Sequence, residues 1–240
     1  MSVIVIIPAY NAARYLRGVI ERLVAASVPD LARVIVVDDG STDDTRVALA
    51  SLLPLRCPMD RVDRSRNGGY GAAMKDGLRR AAAHDPDLVA CVHADGQYSP
   101  EALPRLVSEM RARRLDLLQG SRIAGGTALS GGMPVYKYLA NAVLNVIENR
   151  VLGLNLTDYH SGYMLYGRRS LLTIPFDKLS DGFEFDLEVI ASARAHGLSV
   201  SEAPIPTHYG DETSHLRPVH YGLRVLRVMW NYRRGRYAPT

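Results

Sequence analysis

The chain has 240 residues, 47% of them hydrophobic and 22% charged, which is enough to bury one large core and ordinary for a globular protein. It has no low-complexity tract, internal repeat or linker-like run, which sets aside repeat and multi-domain organisations, and no apolar run reaches the ~18–20 residues needed to span a bilayer. A formal charge of +4 suits an acidic partner such as a nucleotide or a lipid phosphate without selecting one, and no nucleic-acid partner is expected.

Val3–Ile7 is a continuous run rich in β-branched residues, the pattern of a buried parallel strand. Leu16, Val19, Ile20, Leu23 and Val24 follow at helical spacing. Arg33–Val37 predicts a second buried strand that ends in Asp38-Asp39-Gly40-Ser41, with a helix starting near Ser41 or Thr42. Another helix is expected after the glycine cluster Asn67–Gly71. Leu88–Val92 predicts a strand running straight into His93-Ala94-Asp95-Gly96-Gln97. Ser99-Pro100-Glu101 combines a capping hydroxyl with proline at the first helical position, and Leu103, Leu106, Val107 and Met110 supply that helix with a buried face. Leu115–Gln119 predicts one more strand. In the second half, Val135–Leu152 is helical with Leu139, Val143, Ile147 and Val151 at intervals of four, and helices are expected over Asp186–His196 and His220–Arg233. Alternating strands and helices predict an α/β fold, with a single Rossmann-like, doubly wound, mostly parallel sheet flanked by helices.

Cys57 and Cys91 have no metal-ligand spacing, and Cys91 sits in an apolar run as a buried thiol would, which points to a reducing compartment. The strand-like run begins within two residues of Met1 and leaves no room for a secretory signal. A cytoplasmic protein is expected, with contact at the inner face of a membrane left open.

Ligands of such sheets bind at the carboxyl ends of the strands, where three polar clusters fall: Tyr10-Asn11, Asp38-Asp39 and Asp95-Gly96-Gln97. Two carboxylates at a strand end can accept hydrogen bonds from a base or ribose, hold a metal, or cap a helix. Asp95 and Gln97, two residues apart, can hold a hard divalent ion against a diphosphate, or form a polar loop ahead of Ser99. Gly69 and Gly71 invite a dinucleotide-binding reading, but the third glycine would fall at Met74 and the cluster lies far from the first strand. No phosphate loop with a Gly-Lys-Ser/Thr ending occurs. What remains at Asn67–Gly71 is a tight turn that lets backbone approach a ligand or another element.

Taken together, Ile7-Pro8-Ala9-Tyr10-Asn11, Val36-Val37-Asp38-Asp39-Gly40-Ser41, Asn67-Gly68-Gly69-Tyr70-Gly71, Ala94-Asp95-Gly96-Gln97 and Gly120-Ser121-Arg122 have the order and spacing of inverting family-2 glycosyltransferases. The chain resembles dolichyl- and polyprenyl-phosphate mannose synthases and their bacterial relatives. Asp158-Tyr159-His160-Ser161-Gly162-Tyr163, Gly182-Phe183-Glu184-Phe185-Asp186-Leu187-Glu188 and Glu202-Ala203-Pro204-Ile205 extend the match over most of its length.

The resemblance implies a GT-A fold over residues 1–240, with a nucleotide-sugar-binding half over 1–122 and an acceptor-binding half over 123–240 that ends in a basic helix. It implies a UDP- or GDP-sugar donor, with Pro8, Tyr10, Asn11 and Asn67 lining its pocket and Asp39 reading the base. Asp95 would be catalytic and, with Gln97, hold Mg²⁺ or Mn²⁺, with His93 as a further ligand; Arg122 would lie near phosphate. Lys137 and His160 would meet the acceptor, and Glu184 would be the general base if that acceptor is a hydroxyl.

Three positions depart from the family pattern. His93 replaces the first aspartate of the usual Asp-x-Asp, which removes a negative charge. Met164 stands where an arginine often follows Ser-Gly-Phe/Tyr, and His208–His215 replaces an arginine-containing segment. In the last helix, Leu223, Leu226 and Trp230 lie at helical spacing among Arg224, Arg227, Arg233, Arg234 and Arg236, which suits an anionic membrane surface or a packing helix with a solvated basic face. The reading is an inverting transferase acting on polyprenyl phosphate. A hydroxyl acceptor on a small metabolite or glycan is the close alternative; a nucleotidyltransferase, and a sugar-nucleotide binder that has lost activity, are more distant ones.

Overall fold

A computed structural model of the chain describes residues 1–52, 57–126, 128–206 and 218–239, the side chains of 218 and 219 excepted. Seven strands form one sheet: β1 (Val3–Ala9), β2 (Leu31–Asp38), β3 (Met59–Asp63), β4 (Leu88–Cys91), β5 (Leu117–Ser121), β6 (Met164–Gly167) and β7 (Val200–Pro204). Their order is β3-β2-β1-β4-β6-β5-β7, and every pairing is parallel except those of β6 with β4 and β5. The helices are α1 (Leu16–Ala25), α2 (Thr45–Ala50), α3 (Tyr70–Ala82), α4 (Leu103–Ala112), α5 (Val135–Leu152), α6 (Arg168–Thr173), α7 (Phe185–Ala195) and α8 (Pro218–Arg233). The sheet does not respect a boundary at residue 122, because β6 from the second half lies between β4 and β5 from the first.

The apolar runs dictate this layering. Along β1, Val3, Val5 and Ile7 enter a core with α1 and α4, while Ile4 and Ile6 enter a second core with α3 and α7 on the opposite face. Both faces are covered, so the strand is apolar at every position instead of alternating. Strand order reverses between β1 and β4, which opens a crevice at their carboxyl ends.

Several elements differ from expectation. The helix after Asp38 starts at Thr45, because Ser41 and Thr42 are bonded to Asn11 instead. Pro100–Ala102 forms a 3-10 turn before α4, and the Ser99 hydroxyl donates to Glu101 and caps no backbone N–H. Edge strand β3 reads Met-Asp-Arg-Val-Asp, too charged to announce itself; Arg33 and Arg80 both pair with its Asp60. Helix α5 lies where its spacing puts it, but with Leu139 58% and Val143 64% exposed, while Asn145 and Glu148 are buried.

Helix α3 rests on the sheet through Gly77, where an added Cβ would come within 2.6 Å of Ile6 Cγ2. Gly77→Ala should therefore cost about 1–3 kcal/mol by overpacking, more than the ~1 kcal/mol that alanine gains in helix propensity. Urea denaturation of G77A, I6A and the double variant should show the double variant less destabilised than the sum of the singles.

Candidate active site

The carboxyl ends of β1, β2 and β3 lie level, with Ala9 opposite Asp38 and Asp38 opposite Asp63. Asn11, held at φ +50°, donates its N–H to Ser41 Oγ at 2.9 Å and accepts from Thr42 N at 2.9 Å. These bonds fasten the Tyr10-Asn11 turn to the loop after β2. Pro8 is half-buried opposite Val37 and Tyr10 is exposed at the rim, so this wall presents a planar ring beside backbone, as a base pocket needs.

The two aspartates divide their duties. Asp38 is fully buried; burial works to raise its carboxyl, but bonds from Arg46 Nε (2.6 Å) and Ser41 N (3.0 Å) outweigh it and hold the group below the usual range. Asp39 accepts Gly68 N and Gly69 N, each at 2.9 Å, and pairs with Arg64 Nε at 2.8 Å. Burial still prevails there and raises its carboxyl. Asp39 thus holds the Asn67–Gly71 turn in place, and a base would meet its remaining lone pairs. Asn67 is exposed beside it and accepts Gly69 N at 3.1 Å.

The glycines of that turn answer to another element. A Cβ on Gly69, at φ +99°, would lie 2.5 Å from Asp181 O, and one on Gly71 would lie 2.3 Å from Ser180 O. Lys75 Nζ donates to Leu179 O at 2.9 Å and completes the clamp. The turn positions Tyr70, whose ring stacks on Phe183 at 6.2 Å and tilts against His93 at 5.3 Å.

After β4, His93 sets Nε2 3.2 Å from Gly162 O, so that nitrogen donates and Nδ1 is left as the acceptor. Burial lowers its pKa and Arg122 adds to this, so the imidazole is neutral near pH 7. Gly162 is required there: at φ +68° its Cβ would meet His93 Nε2 at 2.6 Å. Asp95 is half-buried, and its Oδ1 accepts Gln97 N at 3.0 Å, which closes the loop. Among the described residues no group of three or more His, Cys, Asp or Glu side chains could hold a metal ion. This donor set fits a hard cation that keeps waters and takes most of its ligands from a diphosphate, and does not fit an all-protein cage.

On the other wall, Arg122 grips buried Asp158 through Nε (2.7 Å) and Nη2 (2.9 Å). Burial pushes Asp158 up, but the guanidinium more than compensates and keeps it ionised. His160, expected at the acceptor, turns inward: Nδ1 lies 2.9 Å from Tyr221 OH, Nε2 lies 3.4 Å from buried Glu148, and the side chain is 6% exposed. Lys137 is half-buried in the first turn of α5 and makes no ion pair among the described residues. Glu184 precedes α7, accepting from Ser180 Oγ at 2.7 Å and Arg224 Nη1 at 3.0 Å. Burial opposes ionisation, but those bonds hold Glu184 below the usual range, making it a weak base. Met164 is wholly buried in β6, and His208–His215 lies outside the described residues.

Sequence reasoning missed Arg64, Arg46 and Glu148, and named Asp158 and Asp186 only within motifs. Arg64 follows β3, whose polar sequence hid it. Glu148 had a signal: a lone acid in an apolar helix, which is costly to bury without a partner.

Residues 4–174 match the family model described as Glycosyl transferase family 2. The chain is 34% identical over 207 residues to polyprenol monophosphomannose synthase of Mycolicibacterium smegmatis, covering 84% of this chain and 76% of that one. It is 32% identical over 213 residues to undecaprenyl-phosphate mannosyltransferase of Micrococcus luteus, covering 85% and 83%. Among solved structures, glucosyl-3-phosphoglycerate synthase from Mycobacterium tuberculosis, in complex with Mn²⁺, uridine diphosphate and glucosyl-3-phosphoglycerate, superposes with a TM-score of 0.68 at 18% identity, covering 100% and 81%. That likeness establishes the GT-A fold.

Beneath the site, Asp186 is buried and accepts Tyr166 OH at 3.3 Å; burial raises its carboxyl to about 7. An unfolded aspartate titrates near ~3.9, so between those values the folded state binds the extra proton and stability falls as pH rises. Asp186→Asn should leave Tm nearly unchanged below pH ~4 and raise it by several degrees above pH ~8, measured by thermal denaturation across that range.

Proposed function

The chain belongs to glycosyl transferase family 2 and is a glycosyltransferase, and from that premise we propose that it transfers a sugar, with inversion, from a nucleoside-diphosphate sugar to a polyprenyl phosphate. The donor's base and ribose rest against Pro8, Tyr10, Asn11 and Asn67, with Asp39 at the base edge. Its diphosphate lies between Asp95 and Arg122. Asp95 and Gln97, with Nδ1 of His93 on the same loop, would hold Mg²⁺ or Mn²⁺, which supplies charge neutralisation for the departing nucleoside diphosphate. The acceptor approaches from the side of α5, where Lys137 meets its phosphate.

The observation that carries the acceptor class is the state of Glu184. Deprotonating a hydroxyl is favoured by a carboxylate of raised basicity, whereas Glu184 is lowered, with Ser180 on one oxygen and Arg224 on the other. A phosphate acceptor is already anionic and attacks the anomeric carbon without a base. The two relatives named above carry polyprenyl- or undecaprenyl-phosphate transfer in their names, which supports the same choice. In this reading His160 orders the acceptor wall from behind, through Tyr221 and Glu148, and does not touch the substrate.

The test is release of nucleoside diphosphate from UDP-, GDP- and dTDP-sugars with Mg²⁺ or Mn²⁺, with and without a short polyprenyl phosphate. One donor should respond, and the lipid phosphate should stimulate it. Glu184→Gln, which can keep its oxygen toward Arg224 and turn its amide N–H to donate to Ser180 Oγ, should keep kcat within a few-fold, while Asp95→Asn should lose on the order of 10²-fold or more. Release indifferent to the lipid phosphate, together with collapse of kcat in E184Q, would instead establish a hydroxyl acceptor with Glu184 as its base.

A further inference from the structure

Helix α5 is inverted relative to water. Its exposed apolar residues are Val135, Tyr136, Leu139, Val143 and Val146, each between 58% and 69% exposed, while its buried side presents Asn145 and Glu148 to the interior. Positions 135, 139, 143 and 146 form one stripe at intervals of four and three. Helix α8 packs against α5 and leaves a stripe of its own: Leu223 is 63% exposed, Leu226 45% and Trp230 62%. Val225, Val228 and Met229 occupy the buried side of α8, so its stripe, like that of α5, points away from the core. Isolated exposed apolar residues need no explanation, but eight on two packed helices do.

Charge selects what covers them. The only acid in the sequence of either helix is Glu148, which is fully buried. Arg227, four residues after Leu223 and three before Trp230, lies on the α8 stripe, and Arg233, Arg234 and Arg236 stand exposed at its end. A second copy of the chain would bring this arginine-flanked face against its own like charges, with no acid on either helix to answer them. An anionic bilayer answers both features, because its interior accepts the apolar stripes and its headgroups accept the arginines.

We propose that the outward faces of α5 and α8 together dock on an anionic membrane surface. The inner faces of the same helices shape the acceptor wall, through Tyr221 on His160 and Arg224 on Glu184. Docking therefore sets that wall at the bilayer surface. The proposal concerns binding alone and stands or falls apart from the identity of donor and acceptor.

Trp230, the chain's single tryptophan, is a native reporter. Mixing the intact protein, without any sugar donor, with vesicles of phosphatidylcholine plus phosphatidylglycerol should shift Trp230 emission to the blue and carry the protein upward in flotation. Vesicles of phosphatidylcholine alone should bind at least about tenfold more weakly, and raised salt should weaken the anionic-vesicle binding. The double variant V143S/V146S, altered only at exposed positions of α5, should lose most of the binding while keeping the thermal transition of the wild type. The proposal is overturned if neither vesicle moves the emission or floats the protein, or if V143S/V146S binds as the wild type does. It is equally overturned if sedimentation finds a dimer that this variant dissociates, since the face would then belong to a second copy.

Discussion

The site depends on how one buried carboxylate is satisfied. Asp39 stands at the end of β2, removed from water, and a charge so placed persists only where donors surround it. It takes both of its backbone donors from Gly68 and Gly69 and its cation from Arg64. That demand fixes the first turn of α3, which in turn sets Tyr70 between His93 and Phe183. Because the turn also touches the backbone of Ser180 and Asp181, neither Gly69 nor Gly71 has room for a side chain. The loop after β2 and the segment ahead of α7 are thus tied by a chain of contacts that starts at one aspartate.

The electrostatics around this frame are largely self-cancelling. Asp38 with Arg46, Asp39 with Arg64, Asp158 with Arg122 and Glu184 with Arg224 are each matched pairs. Asp95 is the acid at the crevice with no such partner among the described ion pairs, and the neutral imidazole of His93 adds no charge to it. A diphosphate entering here would meet one carboxylate where the usual Asp-x-Asp would present two. Less repulsion would need offsetting by a cation, and a cation bound here would be held more through the donor than through the protein.

Physical signals of different strength explain what the sequence disclosed. Strands β1, β2 and β4 are buried on both faces and announce themselves as unbroken apolar runs, and the chemistry-bearing loops follow directly from them. Strand β3 lies at an edge and is held by ion pairs, while β6 is four residues long and inserted antiparallel from a distant segment, so neither leaves a local pattern. The motif at 158–163 was visible, but the orientation of His160 was not, because it is set by Glu148 on the preceding helix and by Tyr221, 61 residues further on. Glu184 was visible too, and its weak basicity depends on Arg224, forty residues away.

Helix α5 shows most clearly where periodicity stops informing. Spacing establishes a helix and a stripe but is silent on which side of the stripe faces the core, and the usual answer assumes that water lies outside. Burying an apolar side chain of this size is worth roughly 1.5–3 kcal/mol, whereas burying a carboxylate costs several kcal/mol before its partners respond. A helix that exposes Val143 and Val146 while burying Glu148 forgoes the first term and incurs the second. Its interior recovers part of this through the polar contacts of His160, Tyr221 and Thr157. Its exterior recovers the rest only against a medium less polar than water, so the orientation of α5 makes physical sense as that of a helix with polar chemistry on one side and lipid on the other.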